Sequence, residues 1–169
     1  MKPTRAWVMF VLLAFCSFTR AVPAQETMTV LTGPELTRVV PTSFYFQGQT
    51  AQTQIRNSAC ARFGSNRYVI AGMVDTSGYA ADVRAKYQGF FITDADVKIN
   101  GHDLKIGAYG FGFTDDGKMN VLDLSGKEIL AASTTKDNSL QRPRPLMMMK
   151  SAEGVRLYSG KDYVTITPN

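Results

Sequence analysis

Along most of this chain apolar and polar residues alternate with a period of two, the spacing of side chains that point in turn to opposite faces of a strand. Residues 43–47 set Phe44 and Phe46 on one face. Residues 67–74 are apolar on both faces, with Tyr68, Ile70 and Val74 on one side and Val69, Ala71 and Met73 on the other. That pattern predicts a central strand covered above and below. The most specific local signal is Asn100-Gly101, a dipeptide suited to the left-handed positions of a type I′ turn. A two-residue loop there pairs Val97 with Leu104 and Ala95 with Ile106 on an inner face, and Lys98 with Asp103 and Asp96 with Lys105 on the outer one. Turn chemistry and side-chain pairing agree, each pair contributing about 0.2–1 kcal/mol.

The chain then meanders. Residues 108–114, 118–124 and 127–132 read as strands joined by turns at Asp115-Asp116-Gly117 and Ser125-Gly126. Residues 146–150, 155–158 and 163–167 form a last set, after a polar break over 133–145 that reads as the one long loop. Two stretches instead have helical spacing. Over 31–41, Thr32 and Glu35 fit a capping box, Leu31 and Leu36 a hydrophobic staple, and Pro41 a stop. After Ser77, Tyr79, Val83 and Tyr87 recur every four residues. About ten short strands at this spacing, with two short accessory helices, predict a mainly β fold, an antiparallel barrel or sandwich.

Charge changes the picture at one place. The 169 residues carry 19 Lys plus Arg against 14 Asp plus Glu. Three of the cations, Lys2, Arg5 and Arg20, lie in the first 24 residues, which hold no acid and contain a 13-residue, almost wholly apolar run from Ala6 to Phe18. A basic start, a short apolar run and small residues at Val22-Pro23-Ala24 predict a signal peptide over 1–24, cut after Ala24. The run is short of the roughly 20 residues a membrane span needs, so no span is expected after cleavage. Phe15 stands where a lipid-modified Cys16 would want a small residue. Residues 25–169 then form a single β domain with 16 basic and 14 acidic residues, net +2, periplasmic or extracellular. With charge so balanced and no basic cluster with interleaved aromatics, nucleic acid is not expected as a partner.

The same cut leaves one cysteine, Cys60, and no route to an internal disulfide. A period of two sets Cys60 with Gln54, Arg56, Ser58 and Arg62, a polar row that faces either a barrel interior or water. Nothing nearby marks the thiol as activated. The lone His102 sits at the hairpin tip beside Asp103, a poor place from which to orient an imidazole. Asp115-Asp116-Gly117 lacks the alternating oxygens of a calcium loop. In Met147-Met148-Met149 neighbouring side chains point apart, so the sulfurs do not converge on copper and core packing is expected. No catalytic residues, no metal and no cofactor follow from these residues.

In residues 108–113 three aromatics, Tyr109, Phe111 and Phe113, share one face, and Ala108, Gly110 and Gly112 share the other. Glycines inside a strand mark a bend or the close approach of something bulky. Such a strand supplies either core or the aromatic wall or glycine floor of a ligand cavity, with the 133–145 loop as a lid.

Residues 54–59, 74–79, 86–93 and 107–113 (QIRNSA, VDTSGY, KYQGFFIT and GAYGFGF) together resemble a family of small exported bacterial proteins with no assigned function. The resemblance covers most of residues 25–169 and implies neither an activity nor a catalytic residue. The expectation is therefore an exported β domain that binds a small apolar or aromatic ligand through Tyr109, Phe111 and Phe113. The alternative is an envelope-associated structural or protein-interaction module without ligand.

Overall fold

Turns at intervals of a few residues divide the chain into many short strands, and the computed structural model, which describes residues 27–169, arranges them in two antiparallel sheets. In chain order they are β1 (Met28–Leu31), α1 (Gly33–Val39), β2 (Ser43–Phe46), β3 (Gln49–Phe63), β4 (Arg67–Val74), α2 (Ala81–Arg84) and β5 (Gly89–Thr93). There follow β6 (Val97–Ile99), β7 (His102–Leu104), β8 (Gly107–Thr114), β9 (Lys118–Leu122) and β10 (Glu128–Ser133). The last four are β11 (Thr135–Lys136), β12 (Arg144–Lys150), β13 (Val155–Gly160) and β14 (Asp162–Pro168). The expected signal over 1–24 lies outside the described residues.

The first sheet runs β1-β3-β4-β5-β8-β9-β10, with β2 also paired to β3. The second runs β12-β13-β14-β6-β7, with β11 on β14. Of the two architectures the sequence allows, the structure is the sandwich. β1, β5 and β11 have no separate signal in the alternation. They are four, five and two residues long, and no turn signal sets them apart as Asn100-Gly101 does the hairpin strands.

Between the sheets lies one core. Ala59, Ala61 and Phe63 of β3, Val69 and Ala71 of β4 and Phe111 of β8 face Leu146 and Met148 of β12, Val155 and Leu157 of β13 and Val164 and Ile166 of β14. The small residues of β3 let β12 lie close against it. β4 sits between β3 and β5 as its two apolar faces predict. Its second face, with Ile70 and Val74, contributes to a separate cluster outside the first sheet, built on Phe44, Phe46, Tyr79, Tyr87 and Phe90. β2, α1 and the α2 segment supply that cover. Phe46 stacks on Tyr87 with ring centroids 3.9 Å apart, and the Tyr79 hydroxyl donates to the Phe46 carbonyl at 3.1 Å.

The hairpin has the expected register, Val97 opposite Leu104 and Lys98 opposite Asp103, with Asn100 at φ 46° and Gly101 at φ 85°. Lys98 to Asp103 (2.5 Å) and Lys105 to Asp96 (2.6 Å) are its ion pairs. The ladder stops two pairs sooner than expected, with Asp96 and Lys105 meeting as an ion pair outside it. Ala95 is buried but Ile106 is 62% exposed, because the Ile106 amide donates to Asp96 Oδ1 and the chain leaves for β8 in the other sheet.

Three further expectations need correction. Thr32 holds the N-cap place of α1 with no side-chain bond: Gly33 turns the chain at φ 56°, and Pro34 removes one of the amides that a cap would serve. The 133–145 segment is not all loop, since β11 pairs with β14 and β12 begins at Arg144. Of the three methionines only Met148 is core; Met147 and Met149 face outward.

Gly110 is required by a side chain of the covering layer. A Cβ there would lie 2.5 Å from the Phe46 ring, which is itself fully buried and held by Tyr87. Gly110→Ala is expected to lower stability by about 1–3 kcal/mol, the usual cost of overpacking. Urea denaturation measures it, and an unchanged midpoint would show that the ring is free to move aside.

Candidate functional site

The aromatic stripe of β8 keeps its alternation in three dimensions. Phe111 lies in the core between the sheets at 1% exposure, and Tyr109 and Phe113 pack against that core half-buried. Phe111 and Phe113 meet edge to face with centroids 6.1 Å apart. At the other end the Tyr109 hydroxyl donates to the Lys105 carbonyl at 2.9 Å. Spaced along one strand, the three rings do not converge on one cavity; they form a ridge of the core.

On the opposite face the glycines do what glycines in strands usually do, and the bulky group is the chain's own. Phe46 lies against Gly110, and the Lys86 carbonyl would be 2.4 Å from a Cβ on Gly112. The glycine floor is thus occupied. The 133–145 segment does not close over β8 either. The Asp137 amide donates to the Lys161 carbonyl, and the Tyr158 hydroxyl donates to Asp137 Oδ2 at 3.1 Å. These bonds tie the start of the segment to the outer face of the second sheet, where Tyr158 is buried.

An open cleft of about 460 Å³ lies instead at one end of the sandwich, where turns from both sheets meet. The β8–β9 turn brings Asp115 and Gly117, the strand end of β8 brings Phe113 and Thr114, the β10–β11 connection brings Thr134, and β11 brings Lys136. Ser159 and Asp162 come from the β13–β14 turn. Phe113 alone of the three expected residues borders this space. Gln88 holds it there in a way no periodicity reveals. The Gln88 side-chain amide donates to the Phe113 carbonyl at 2.9 Å, and the Phe113 amide donates to Gln88 Oε1 at 3.0 Å. The side chain thus continues the β5–β8 ladder past Gly89.

Hydrogen bonding separates the polar residues of the cleft into framework and free groups. Thr134 donates to the Gly117 carbonyl, Thr114 lies within reach of the Lys118 carbonyl, and Lys118 pairs with Asp116 at 2.6 Å. The Lys118 and Thr114 bonds hold the Asp116 carboxyl below the usual carboxylate range. Other aspartates are engaged too: Asp75, Asp123 and Asp137 cap turns, Asp94 accepts from the Tyr68 amide, and Asp96 and Asp103 are in the hairpin. Among the described residues only Asp82, Asp115 and Asp162 hold no side-chain bond, and the last two border the cleft. Identifying them needs the positions of both turns at once.

Cys60 takes neither of its expected places. A register shift between Thr53 and Ser58 breaks the alternation of β3, so Gln54 and Arg56 are exposed while Ser58 and Cys60 are buried. Cys60 lies between Leu31 and Ile70 on the covered outer face of the first sheet. Burial, with Asp94 adding to it, pushes the thiol up to about 12. His102 is exposed at the hairpin tip. Among the described residues no three His, Cys, Asp or Glu side chains gather so as to hold a metal ion.

A thiol raised from 9.0 to about 12 on folding is protonated in the native chain at pH values where the unfolded chain has lost its proton. Its contribution is therefore present below pH 9 and lost as pH rises toward 12. Cys60 should resist a disulfide reagent at pH 8 and react at once in urea, and Cys60→Ala should flatten the alkaline fall in stability. Fast native labelling would place the thiol at the surface. Phe111→Ala should cost about 3–5 kcal/mol, as for other buried aromatics, and Phe113→Ala distinctly less; equal losses would contradict the ridge.

Comparison with protein-family models, with curated proteins and with solved structures finds no match to this chain.

Proposed function

We propose that the chain is exported, that its first 24 residues are removed, and that the folded domain is a non-catalytic binding module whose end cleft takes a small polar compound carrying a protonated amine. The observation that carries this reading is the pair of free carboxylates. Asp115 and Asp162 border the cleft against a single cation, Lys136, while nearly every other described aspartate is engaged elsewhere. A charge-assisted hydrogen bond is stronger than a neutral one, and Phe113 offers an aromatic face to a cation. The volume between the sheets is taken by Phe111 and its neighbours, which moves the ligand from the sheet interior to the end of the sandwich and from apolar to polar. Export is supported by the basic start, short apolar run and small residues of 1–24. A cut after Ala24 leaves every described strand whole, since β1 begins at Met28.

A second reading, an interaction module without ligand, is supported by the filled interior and by the open outer face of the second sheet described below.

Titration with 1,4-diaminobutane, with glucose as the neutral comparison, tests the cleft. The diamine is expected to bind and glucose to bind weakly, with Asp115→Asn and Asp162→Asn each weakening diamine binding about tenfold, the equivalent of one charge-assisted bond. Binding indifferent to both substitutions, or none at all, would remove the cleft from the account. Intact mass of protein recovered outside the cytoplasm tests the export: the expected species starts at Gln25, and a mass for all 169 residues would contradict the cut.

A further inference from the structure

The two sheets differ in what covers their outer faces. That of the first carries its own aromatic cluster, but that of the second is covered at Tyr158 and left open beside it. Strand register fixes what the open part shows. Met147, Tyr158 and Tyr163 form one cross-strand row, and Met149, Arg156 and Thr165 the next. Met149 is 43% exposed. The Arg156 guanidinium lies 4.5 Å from the centre of the Tyr163 ring. Its Nε is buried without a hydrogen-bond partner, the guanidinium is held by the Tyr158 hydroxyl and by the nearby charge of Asp137, and it forms no close ion pair among the described residues.

Charge is distributed unevenly to match. From residue 137 to residue 162 the chain carries Arg142, Arg144, Lys150, Arg156 and Lys161 against Asp137, Glu153 and Asp162, a net charge of +2. Residues 25–169 total +2, so the rest of the domain is neutral. None of these five cations is in an ion pair among the described residues. Arg142 and Arg144 follow the segment tied down over Tyr158 and Lys161 stands in the β13–β14 turn, whereas Lys150, opposite the core residue Val155, lies on the other side of β12 from Met149. Arginine, tyrosine and methionine are the residues enriched where proteins dock, and a guanidinium already stacked on a ring loses little freedom on binding.

We propose that this face docks an acidic segment of another protein, with carboxylates on Arg156 and its neighbouring cations and apolar contact over Met147 and Met149. A polypeptide fits better than a lipid surface because the face is a flat ladder with one half-exposed methionine, whereas membrane binding draws on a broad apolar stripe that buries in the headgroup region.

Anisotropy of a fluorescein-labelled decaglutamate peptide tests the proposal on the chain beginning at Gln25. Binding is expected at low salt, weakening as salt rises. Arg156→Glu should reduce it at least tenfold, Arg156→Lys by less, and Met149→Asp severalfold, with circular dichroism unchanged. Arg84→Glu, the same charge change on α2 over the other sheet, should alter it less than twofold. The Met149→Asp and Arg156→Lys variants keep the test open if Arg156→Glu does not fold. Equal losses for Arg84→Glu and Arg156→Glu would mean that only net charge matters. Retention on phosphatidylglycerol vesicles without peptide binding would mean a membrane, and a concentration-dependent dimer in sedimentation that is lost in Arg156→Glu would mean a second copy of this chain. Each of those three results overturns the proposal. The cleft variants Asp115→Asn and Asp162→Asn should leave peptide binding intact, so failure at one site is distinguishable from failure at the other.

Discussion

Everything in this domain depends on the first sheet being apolar on both faces. One face meets the second sheet, as in any sandwich. The other would expose Ile70, Val74 and Phe90 to water, so the chain spends β2, α1 and the α2 segment on covering it. The cover closes through aromatic packing: Phe46 lies on Gly110, Tyr87 stacks on Phe46, and Tyr79 holds the Phe46 carbonyl. Replacing the β8 glycines with larger residues would push that layer off the sheet.

This constraint explains where the chain leaves polar groups without internal partners. Phe111 and the β8 glycines are packed against by the chain itself and serve the fold, and of the three aromatics Phe113 alone borders the cleft. Two carboxylates without a side-chain bond and a cation without an ion pair stand at the margins instead. Asp115 and Asp162 border the end cleft, and Arg156 lies on the open face of the second sheet. The ends and outer faces are where turns can vary without disturbing either core.

The readable parts of the sequence were those whose cause is local. Asn100-Gly101 sets its turn by backbone preference, and the pairs beside it follow from register. β4 announces its central place because alternation with apolar residues on both sides has no other use. The unreadable parts depend on contacts distant in sequence. Cys60 was assigned to a polar row because nothing in residues 52–63 signals the register shift that turns Gln54 and Cys60 to different environments. Phe46 as the group that fills the Gly110 notch, and Gln88 as a substitute strand for Phe113, lie 64 and 25 positions from their partners. The same holds for the cleft, whose two free aspartates are 47 residues apart.

Amide hydrogen exchange along β4 and β8 tests the central claim most directly, because local opening frees amides that a covering layer would otherwise hold until global unfolding. The account predicts that the amides of Ala71, Phe111 and Gly112 exchange only with global unfolding, their protection falling with urea in step with overall stability. Fast, urea-independent exchange at Phe111 and Gly112 while Ala71 stays protected would contradict it, showing that the aromatic layer lifts from β8 and leaves the glycine face open.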